Sequence, residues 1–360
     1  MGRYIIKRLI YGFFVLIGVI TVVFFLFNVL PADPARMILG QRADITSVEA
    51  INKDLGLDKP LVIQYLNYLN DLSPLSFHNT KQASSYWYFD KTKYVSGNEL
   101  IKISDSFSLF LKKPYLRRSY QSKRPVIDIL ADAFPATVVL AITSILFAFI
   151  VGVALGVVAA LKKDSFIDRF INIISVFGMS LPSFFAAILI AWLFAYVLHD
   201  FTGLNMVGSL YTVDDFGTGE HLDLKNLILP AFTLGIRPLA VISELTRSSM
   251  LDTLSQDYIK TARAKGLGFK RIVFKHVLRN SMNSVVTAIS GWLASLIAGA
   301  VFVEYVFDWK GIGVTIVEAL DKYDFPVLMG SILFISIILV FINIFVDIIY
   351  GWLDPRIRLS

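Results

Sequence analysis

The residues of this sequence that could do chemistry are few, and several of them lie in apolar surroundings. Arg237 and Glu244 interrupt the otherwise uncharged stretch Asn226–Arg247. On a helix, Thr233, Arg237, Glu244 and Ser248 would share one face, because seven residues nearly close two turns. A charge inside an apolar span marks a candidate functional site. Two interpretations stay open: Thr233, Arg237 and Glu244 line a translocation path, or Arg237 pairs with a carboxylate of another subunit or lies at a shallower depth.

Residues for catalysis or metal binding are not apparent in this sequence. It contains no cysteine, which excludes disulfides, thiol nucleophiles and cysteine-ligated metal sites. His199, His221 and His276 lie far apart, without the spacing of metal ligands. No GxxxxGK[ST] phosphate-binding loop and no nucleophile–base constellation occurs in the sequence. The sequence therefore predicts no catalytic residue, no metal site, no cofactor and no enzyme activity for this chain.

The most distinctive polar segment is Ser255–Asn280, which is rich in Lys and Arg. Good helix formers occupy its first part, and Gly266 then breaks the run as a glycine at a helix C-terminus would. Phe269–Asn280 places apolar residues along one side. The pattern predicts a short helix, a glycine turn and a second helix. On this pattern alone, a basic loop that sets topology and touches lipid headgroups is favoured over a rigid helix that sits in a groove of a soluble partner.

Long apolar blocks dominate the rest of the chain. The sequence is 56% hydrophobic and 17% charged, with a mean hydropathy of +0.65, which is far more apolar than a soluble domain. Crossing the hydrocarbon core takes about 20 apolar residues on a helix. Six spans are predicted: Leu9–Leu30, Phe134–Leu161, Phe170–Leu198, Asn226–Arg247, Asn280–Val303 and Phe325–Val346. Pro182 should kink the third span. Glu304 and Asp347 would be boundary charges at span ends.

The distribution of Lys and Arg predicts the orientation of these spans. The basic residues concentrate in alternate short loops, which places both termini in the cytoplasm by the positive-inside rule. The same bias explains the net charge of +6 without a nucleic-acid partner. The first apolar block exceeds the 7–15 residues usual in a signal peptide, so we predict a retained helix. Gly152 and Gly156 have GxxxG spacing, which favours close packing of helices.

The chain divides into four segments on this basis. Residues 1–30 hold the N-terminal end and the first span, and residues 31–133 form an extracytoplasmic segment. Within the latter, a surface helix should follow Pro60. The aromatic content of the insertion at about residues 73–114 predicts a small folded cap rather than a disordered linker. Residues 134–350 hold the other spans and the cytoplasmic loop 248–280, and residues 351–360 form a cytoplasmic tail.

The sequence DYIKTARAKGL, with RN after the second predicted helix, resembles the cytoplasmic coupling loop of ABC importer permeases. It is most similar to the loop of oligopeptide/dipeptide permease B-type subunits. The general signature begins Glu-Ala-Ala, with a glycine four residues after the last alanine. Lys260, Thr261, Ala262 and Gly266 hold those places here. Ordered matches elsewhere include LPADP, SLPSFF, LPAFTLG and VFVEYVFDWKGIG, whereas Ser76–Lys113 is longer than the family pattern.

The resemblance implies an all-α membrane protein with six transmembrane helices, the type I ABC importer permease fold, and an extracytoplasmic insertion after the first helix. It implies a subunit of the bacterial inner membrane, surrounded by lipid, that imports di- or oligopeptides. Its partners would be a second homologous permease subunit, two ATP-binding subunits and an extracytoplasmic substrate-binding protein. The residues that couple to the ATPase would be Tyr258, Lys260, Thr261, Ala262, Ala264, Lys265, Gly266 and Leu267.

Two alternatives to peptide import remain open. Importers of the same family also carry nickel or other small solutes. A more distant alternative is an ion-coupled secondary transporter, which would place carboxylates or broken helices near the midplane, often in two repeated halves.

Overall fold

The computed structural model describes residues 2–28, 58–82, 85, 87–90, 93–94, 97–213 and 219–353. The LPADP segment Leu30–Pro34 and residues 354–360 of the predicted cytoplasmic tail lie outside these ranges. Two compact units emerge, which we call the helical unit and the cap unit. Met1–Ile10, Ala133–Val317 and Ile337–Ser360 form the helical unit, and Tyr11–Asp132 and Glu318–Ser336 form the cap unit.

Two packed helices begin the cap unit. Helix α1 spans Gly2–Asn28 and belongs to this unit from Tyr11 onward, and α2 spans Leu61–Leu72 directly after Pro60. The hydroxyls of Thr21 and Tyr65 lie 2.6 Å apart, and the rings of Phe24 and Tyr65 are 5.2 Å apart. The predicted helix after Pro60 is confirmed, and it lies against the last two turns of α1.

A three-stranded antiparallel sheet follows α2 in the cap unit. Its strands are β1 (Leu75–Asn79), β2 (Gly97–Lys102) and β3 (Phe107–Lys112), in the order β1-β3-β2. Asp71, at the end of α2, accepts hydrogen bonds from Lys93 Nζ at 3.1 Å and from the Tyr94 hydroxyl. The aromatic-rich segment is therefore folded, as its composition predicted. The all-α prediction is wrong in this respect, because the protein is mostly helical rather than entirely so.

Besides the start of α1, the helical unit contains most of α3 (Val126–Leu161) and the last part of α13 (Phe325–Leu353). Between them lie α4 (Phe166–Ser180), α5 (Ser183–Ile190), a π-helical turn (Ala191–Val197), α6 (His199–Thr202), the paired strands β4 (Tyr211–Val213) and β5 (Glu220–Leu222), α7 (Lys225–Leu254), α8 (Asp257–Ala264), α9 (Phe269–Arg271), a second π-helical turn (Ile272–Val277), α10 (Leu278–Gly299), α11 (Val301–Phe307) and α12 (Ile312–Asp321).

Four helices in the described ranges are long and apolar enough to cross a membrane. They are Ile6–Asn28, Val126–Leu161, Lys225–Leu254 and Phe325–Ile348. A fifth span results if α4 and the helix Ser183–Val197, bent by 111°, are counted together. The predicted kink at Pro182 is thus confirmed, and it is large enough to end one helix and start another. The predicted count of six is not reached by these helices; the block Asn280–Val303 is divided between α10 and α11.

Close packing of α3 on α7 depends on two glycines. A Cβ atom on Gly152 would lie 2.8 Å from the Leu239 carbonyl oxygen, and one on Gly156 would lie 2.5 Å from that of Ser243. Neither distance leaves room for a side chain. The prediction that this GxxxG pair serves helix packing is confirmed.

The predicted boundary role of Glu304 is wrong. Glu304 is fully buried, and its carboxylate accepts a hydrogen bond from the Gly313 N–H at 2.6 Å. The chain folds back after α11, so that the fully buried Trp309 donates its indole N–H to the Ala136 carbonyl at 2.9 Å. Glu304 is therefore a core residue of this turn. Asp347, the second predicted boundary charge, forms a 2.9 Å salt bridge with Arg8.

Candidate coupling site

Helix α8 ends in a closed turn centred on Gly266. The Gly266 N–H donates to the Arg263 carbonyl at 2.9 Å, and the Leu267 N–H donates to the Ala262 carbonyl at 3.3 Å. This pair of bonds is the Schellman motif, which requires a left-handed residue after the helix. Gly266 has φ +74°, and no atom lies within 4 Å of a Cβ built on it. The glycine is thus required by backbone conformation and not by lack of space.

One face of α8 packs into the protein. Ile259 and Ala262 are buried in a cluster with Met250 of α7 and with Ile272, Val273 and Val277 of the π-helical turn. Leu267 packs against the same cluster from the closing turn. Ala262 therefore points inward, away from any partner. Its small side chain permits close packing of α8 within this chain rather than close approach of another subunit.

The opposite face of α8 is exposed. The other predicted coupling residues lie on it or on the following turn: Tyr258, Lys260, Thr261, Ala264, Lys265 and Gly266. Lys260 and Asp257 form a 2.8 Å salt bridge, and both side chains are solvated, so this pair adds little stability. The structure brings six of the eight predicted residues together on one accessible surface, which we call the coupling face.

The second arm of the loop, Phe269–Asn280, leads back into the helix α10. The predicted second helix is confirmed, and it begins with α9 and continues through the π-helical turn into α10. Its apolar side is buried at Ile272, Val273 and Val277, as predicted. The Asn280 amide donates to the Tyr258 hydroxyl at 2.7 Å, which links the first arm to the second. The loop is therefore held by a hydrophobic cluster on one side and a polar tie at the membrane end.

Sequence reasoning missed the ion pair that anchors α7 above the loop. Arg247 Nε and NH2 donate to the two oxygens of Asp168 at 2.6 and 2.7 Å, and Asp168 is 2% exposed. Asp168 also closes the N-terminus of α4, where its N–H donates to Ser165 Oγ at 3.3 Å. The spacing Ser165-x-x-Asp168 is a helix-capping signal that could have singled out Asp168. Nothing local in the sequence indicates Arg247 as its partner.

The residues predicted to line a translocation path divide into two groups. Arg237 and Glu244 are exposed on α7, and so is Ser248. Thr233 is 3% exposed, and its hydroxyl donates to the Leu229 carbonyl at 2.7 Å. Thr233 therefore lies inside the helix packing and does not share the exposed stripe. In the part of the chain that the structure describes, Arg237 forms neither a hydrogen bond nor a salt bridge.

Comparison with protein families supports a specific assignment for this architecture. The family described as binding-protein-dependent transport system inner membrane component matches residues 152–359, and its N-terminal companion family matches residues 1–86. The chain belongs to this family. As a binding-protein-dependent permease it is a non-catalytic, multi-pass component of an ABC transporter in the inner membrane. The residues 152–359 include the whole loop that carries the coupling face.

Full-length relatives of this permease have names that refer to peptides. It is 32% identical to the dipeptide transport system permease protein DppB of Alkalihalophilus pseudofirmus, over 99% of this chain and 100% of the relative. It is 34% identical to the di/tripeptide permease DppB of Pseudomonas aeruginosa, over 95% and 94% of the two chains. It is also 34% identical to the glutathione permease GsiC of Escherichia coli K12, over 99% of both.

A solved structure supports the fold of the permease. The inward-facing MetNI methionine ABC transporter aligns with 63% of this chain and 97% of the matched chain, with a TM-score of 0.51 and 16% sequence identity. At 16% sequence identity the match supports the fold alone. It agrees with the ABC importer permease fold that the sequence resemblance implied.

Proposed function

We propose that this chain is the membrane-spanning permease subunit of an ATP-driven importer for di- or oligopeptides. It pairs with a second homologous permease and receives its cargo from an extracytoplasmic binding protein. Two ATP-binding subunits bind the 255–280 loop and drive transport. Membership of the binding-protein-dependent family removes the ion-coupled carrier from consideration. The names of the full-length relatives favour short peptides, including glutathione, over nickel as the cargo.

One observation carries the coupling role: α8 is a short rigid helix with one buried and one exposed face. Its buried side is fixed to α7 through Met250, and α7 runs on to Lys225 as one helix. A force applied to the coupling face would therefore pass into a transmembrane helix instead of bending a flexible loop. A basic loop that only set topology would need neither the closed turn at Gly266 nor the packed cluster.

A cysteine crosslink tests this role. The chain has no cysteine of its own, so a single Ala264→Cys substitution gives one reactive site on the coupling face. In membranes that contain the intact transporter, a short bifunctional crosslinker should join this site to an ATP-binding subunit. Ala262→Cys is the matched control, because it lies two residues away on the buried face and should give no adduct. Failure of Ala264→Cys to capture an ATPase during active uptake would refute the coupling role.

We also propose that Arg237 and Glu244 border the path of the solute. Both are exposed on α7 although they lie within a candidate span, and a charged residue there needs water or a polar partner. Arg237→Ala should change the preference among peptides of different charge, whereas Arg263→Ala, outside the span, should leave it unchanged. An unaltered uptake profile for acidic, neutral and basic dipeptides would assign Arg237 to subunit packing instead.

The remaining spans and their orientation complete the proposal. We assign α10 as a further span, the fifth along the chain, because it returns from the loop over Leu278–Gly299. It brings the total to six. Both termini and the 248–280 loop then lie in the cytoplasm, as the distribution of Lys and Arg favours. Labelling of single cysteines with an impermeant reagent in intact cells tests this arrangement: Asp105→Cys should react from outside, and Ala264→Cys should react only after permeabilisation.

A further inference from the structure

The sheet of the cap unit has its polarity reversed. Most side chains that face inward are polar, with Ser76, His78, Ser108 and Lys112 all at most 4% exposed, and the aromatic Phe110 is buried among them. The outward face carries Leu75, Phe77, Ile101, Phe107, Leu109 and Leu111, paired across the strands as Leu75 with Leu111, and Phe77 and Ile101 with Leu109. Leu75, Phe77 and Leu111 are each about half exposed, at 51%, 47% and 47%. A soluble sheet shows the opposite pattern.

The inward polar groups explain why the polarity can be reversed. Lys112 Nζ donates to the Asp71 carbonyl at 2.6 Å, and Ser108 Oγ donates to Glu99 at 2.7 Å. His78 Nε2 lies 3.0 Å from Ser76 Oγ. These polar atoms are hydrogen-bonded, so the inner face is stable as it stands. The outer face, by contrast, carries large apolar side chains and no charge, with Asn98 beside Leu111 as a polar member, and such a patch marks an interaction surface.

The outer face continues an apolar surface that begins on α1. Thr21 of α1 bonds Tyr65 of α2, and it lies seven residues, or about 10 Å, before the end of α1 at Asn28. Helix α2 therefore lies beside the part of this candidate span that nears the membrane boundary. The exposed side of α2 is apolar at Val62 and Leu66, and α1 exposes Phe25 at the same height.

Asn70 joins this surface to the sheet. One turn after Leu66, its side chain accepts from the Phe77 N–H and donates to the Phe77 carbonyl, both at 2.9 Å. These two hydrogen bonds hold the apolar side of α2 beside the outer face of the sheet. A span such as α1, with 17% of its apolar window buried, exposes its remaining surface to lipid. The occupant that fits a charge-free surface continuous with it is the same lipid.

We propose that the outer face of the β1-β3-β2 sheet rests on the lipid bilayer beside α1, at the boundary between headgroups and acyl chains. The depth follows from the backbone. The edge strand β2 carries N–H and C=O groups that the sheet does not pair, and such groups need headgroups or water, whereas on the edge of β1 Asn70 and Trp87 bond to Phe77 and Asn79. The sheet therefore lies at the interface and does not enter the hydrocarbon core. This inference goes beyond the proposed function, since it requires no particular cargo.

Lipid-borne quenchers test the proposal directly. Phe77→Cys and Leu111→Cys, each in the assembled transporter in nanodiscs, are labelled with an environment-sensitive fluorophore. The cysteine-free chain gives the labelling background, and Asp105→Cys in the exposed β2–β3 turn is the control. Nitroxides placed just below the headgroup should quench the labels at 77 and 111 several-fold more than the label at 105. Nitroxides near the end of the acyl chain should quench them less.

Three outcomes would overturn the proposal. Labels at 77 and 111 that behave like the aqueous label at 105 would place the face in water. Labels that are shielded from water but insensitive to both nitroxide lipids would place it against another subunit. Shielding that appears only when the purified substrate-binding protein is added would make the face a docking surface for that protein. Each variant alters an outward side chain and leaves the backbone bonds of Phe77 to Asn70 in place, so folding should be retained.

Discussion

Replacing Gly266 by alanine offers a measurement of what the closed turn contributes to coupling. The substitution adds one methyl group into open space, so it acts only through the backbone, which has φ +74° at this residue. An L-residue in the left-handed region is disfavoured by about 1–2 kcal/mol. A cost of this size lowers the ratio of the native turn to its opened forms by a factor of roughly 5–30. Uptake per ATP hydrolysed should fall, by at most that factor, if α8 must be rigid to transmit force.

The assay measures dipeptide uptake and ATP hydrolysis together in proteoliposomes that contain the complete transporter. Gly268→Ala is the matched control, because Gly268 has φ −63°, an ordinary value, and its Cβ would also meet open space. It should retain full coupling. Gly266→Asn should fall between the two, because asparagine tolerates the left-handed region better than alanine. Equal coupling ratios for Gly266→Ala and Gly268→Ala would refute the reasoning, since they differ only in the backbone angle.

Three further predictions concern stability. Asp168→Ala leaves the partly buried Arg247 without its bidentate partner and should lower the free energy of unfolding of the detergent-solubilised protein by roughly 3 kcal/mol. Asp132→Ala breaks the exposed pair with Arg124 and should lower it by under about 1 kcal/mol. Burial lowers the pKa of His78 from 6.5 to about 4, and the charge of Lys112 adds to this effect. The unfolded cap then binds more protons below pH 6.5, so sheet stability should fall by up to about 3 kcal/mol as the pH drops from 6.5 to 4. The fall should be smaller in His78→Gln, and amide hydrogen exchange of the β3 strand measures both. Gly156→Ala should destabilise by about 1–3 kcal/mol because its Cβ would overlap the Ser243 carbonyl, while Gly291→Ala, with open space around it, should be neutral or stabilising in the same thermal melt.

Features set by nearby residues could be predicted from the sequence. The helix after Pro60, the break at Pro182 and the helix–turn–helix of the coupling loop all depend on proline, glycine and apolar spacing within a few residues. The Gly152–Gly156 packing likewise follows from spacing alone. The family resemblance rested on the same kind of local motif, and the match over residues 152–359 confirms it.

Features set by residues that are distant in the sequence could not be predicted from it. Asp168 and Arg247 are neighbours only after α4 packs on α7, and Glu304 is buried only because the chain after Phe307 folds back over it. Ala262 was assigned to a partner because it is small, but its side chain faces Met250 and not solvent. The strand β3 alternates in burial along Phe107–Lys112, a period-two pattern that could have been found, although the outward apolar face it forms is the reverse of the usual expectation.

The π-helical turn Ile272–Val277 fixes how the chain before it is rotated relative to helix α10 after it. A π-helical turn holds one residue more than an α-helical turn in the same place. Deleting one residue there would therefore let the helix run on with regular pitch and leave the segments on either side in phase. Deleting one residue from the regular part of α10 would instead turn everything before it by about 100° around the axis and shift it by about 1.5 Å. The arm that carries Phe269 would then leave the membrane on a different side, although no contact residue had been changed. The π-helical turn thus accommodates a change of chain length that a regular helix would convert into a change of direction.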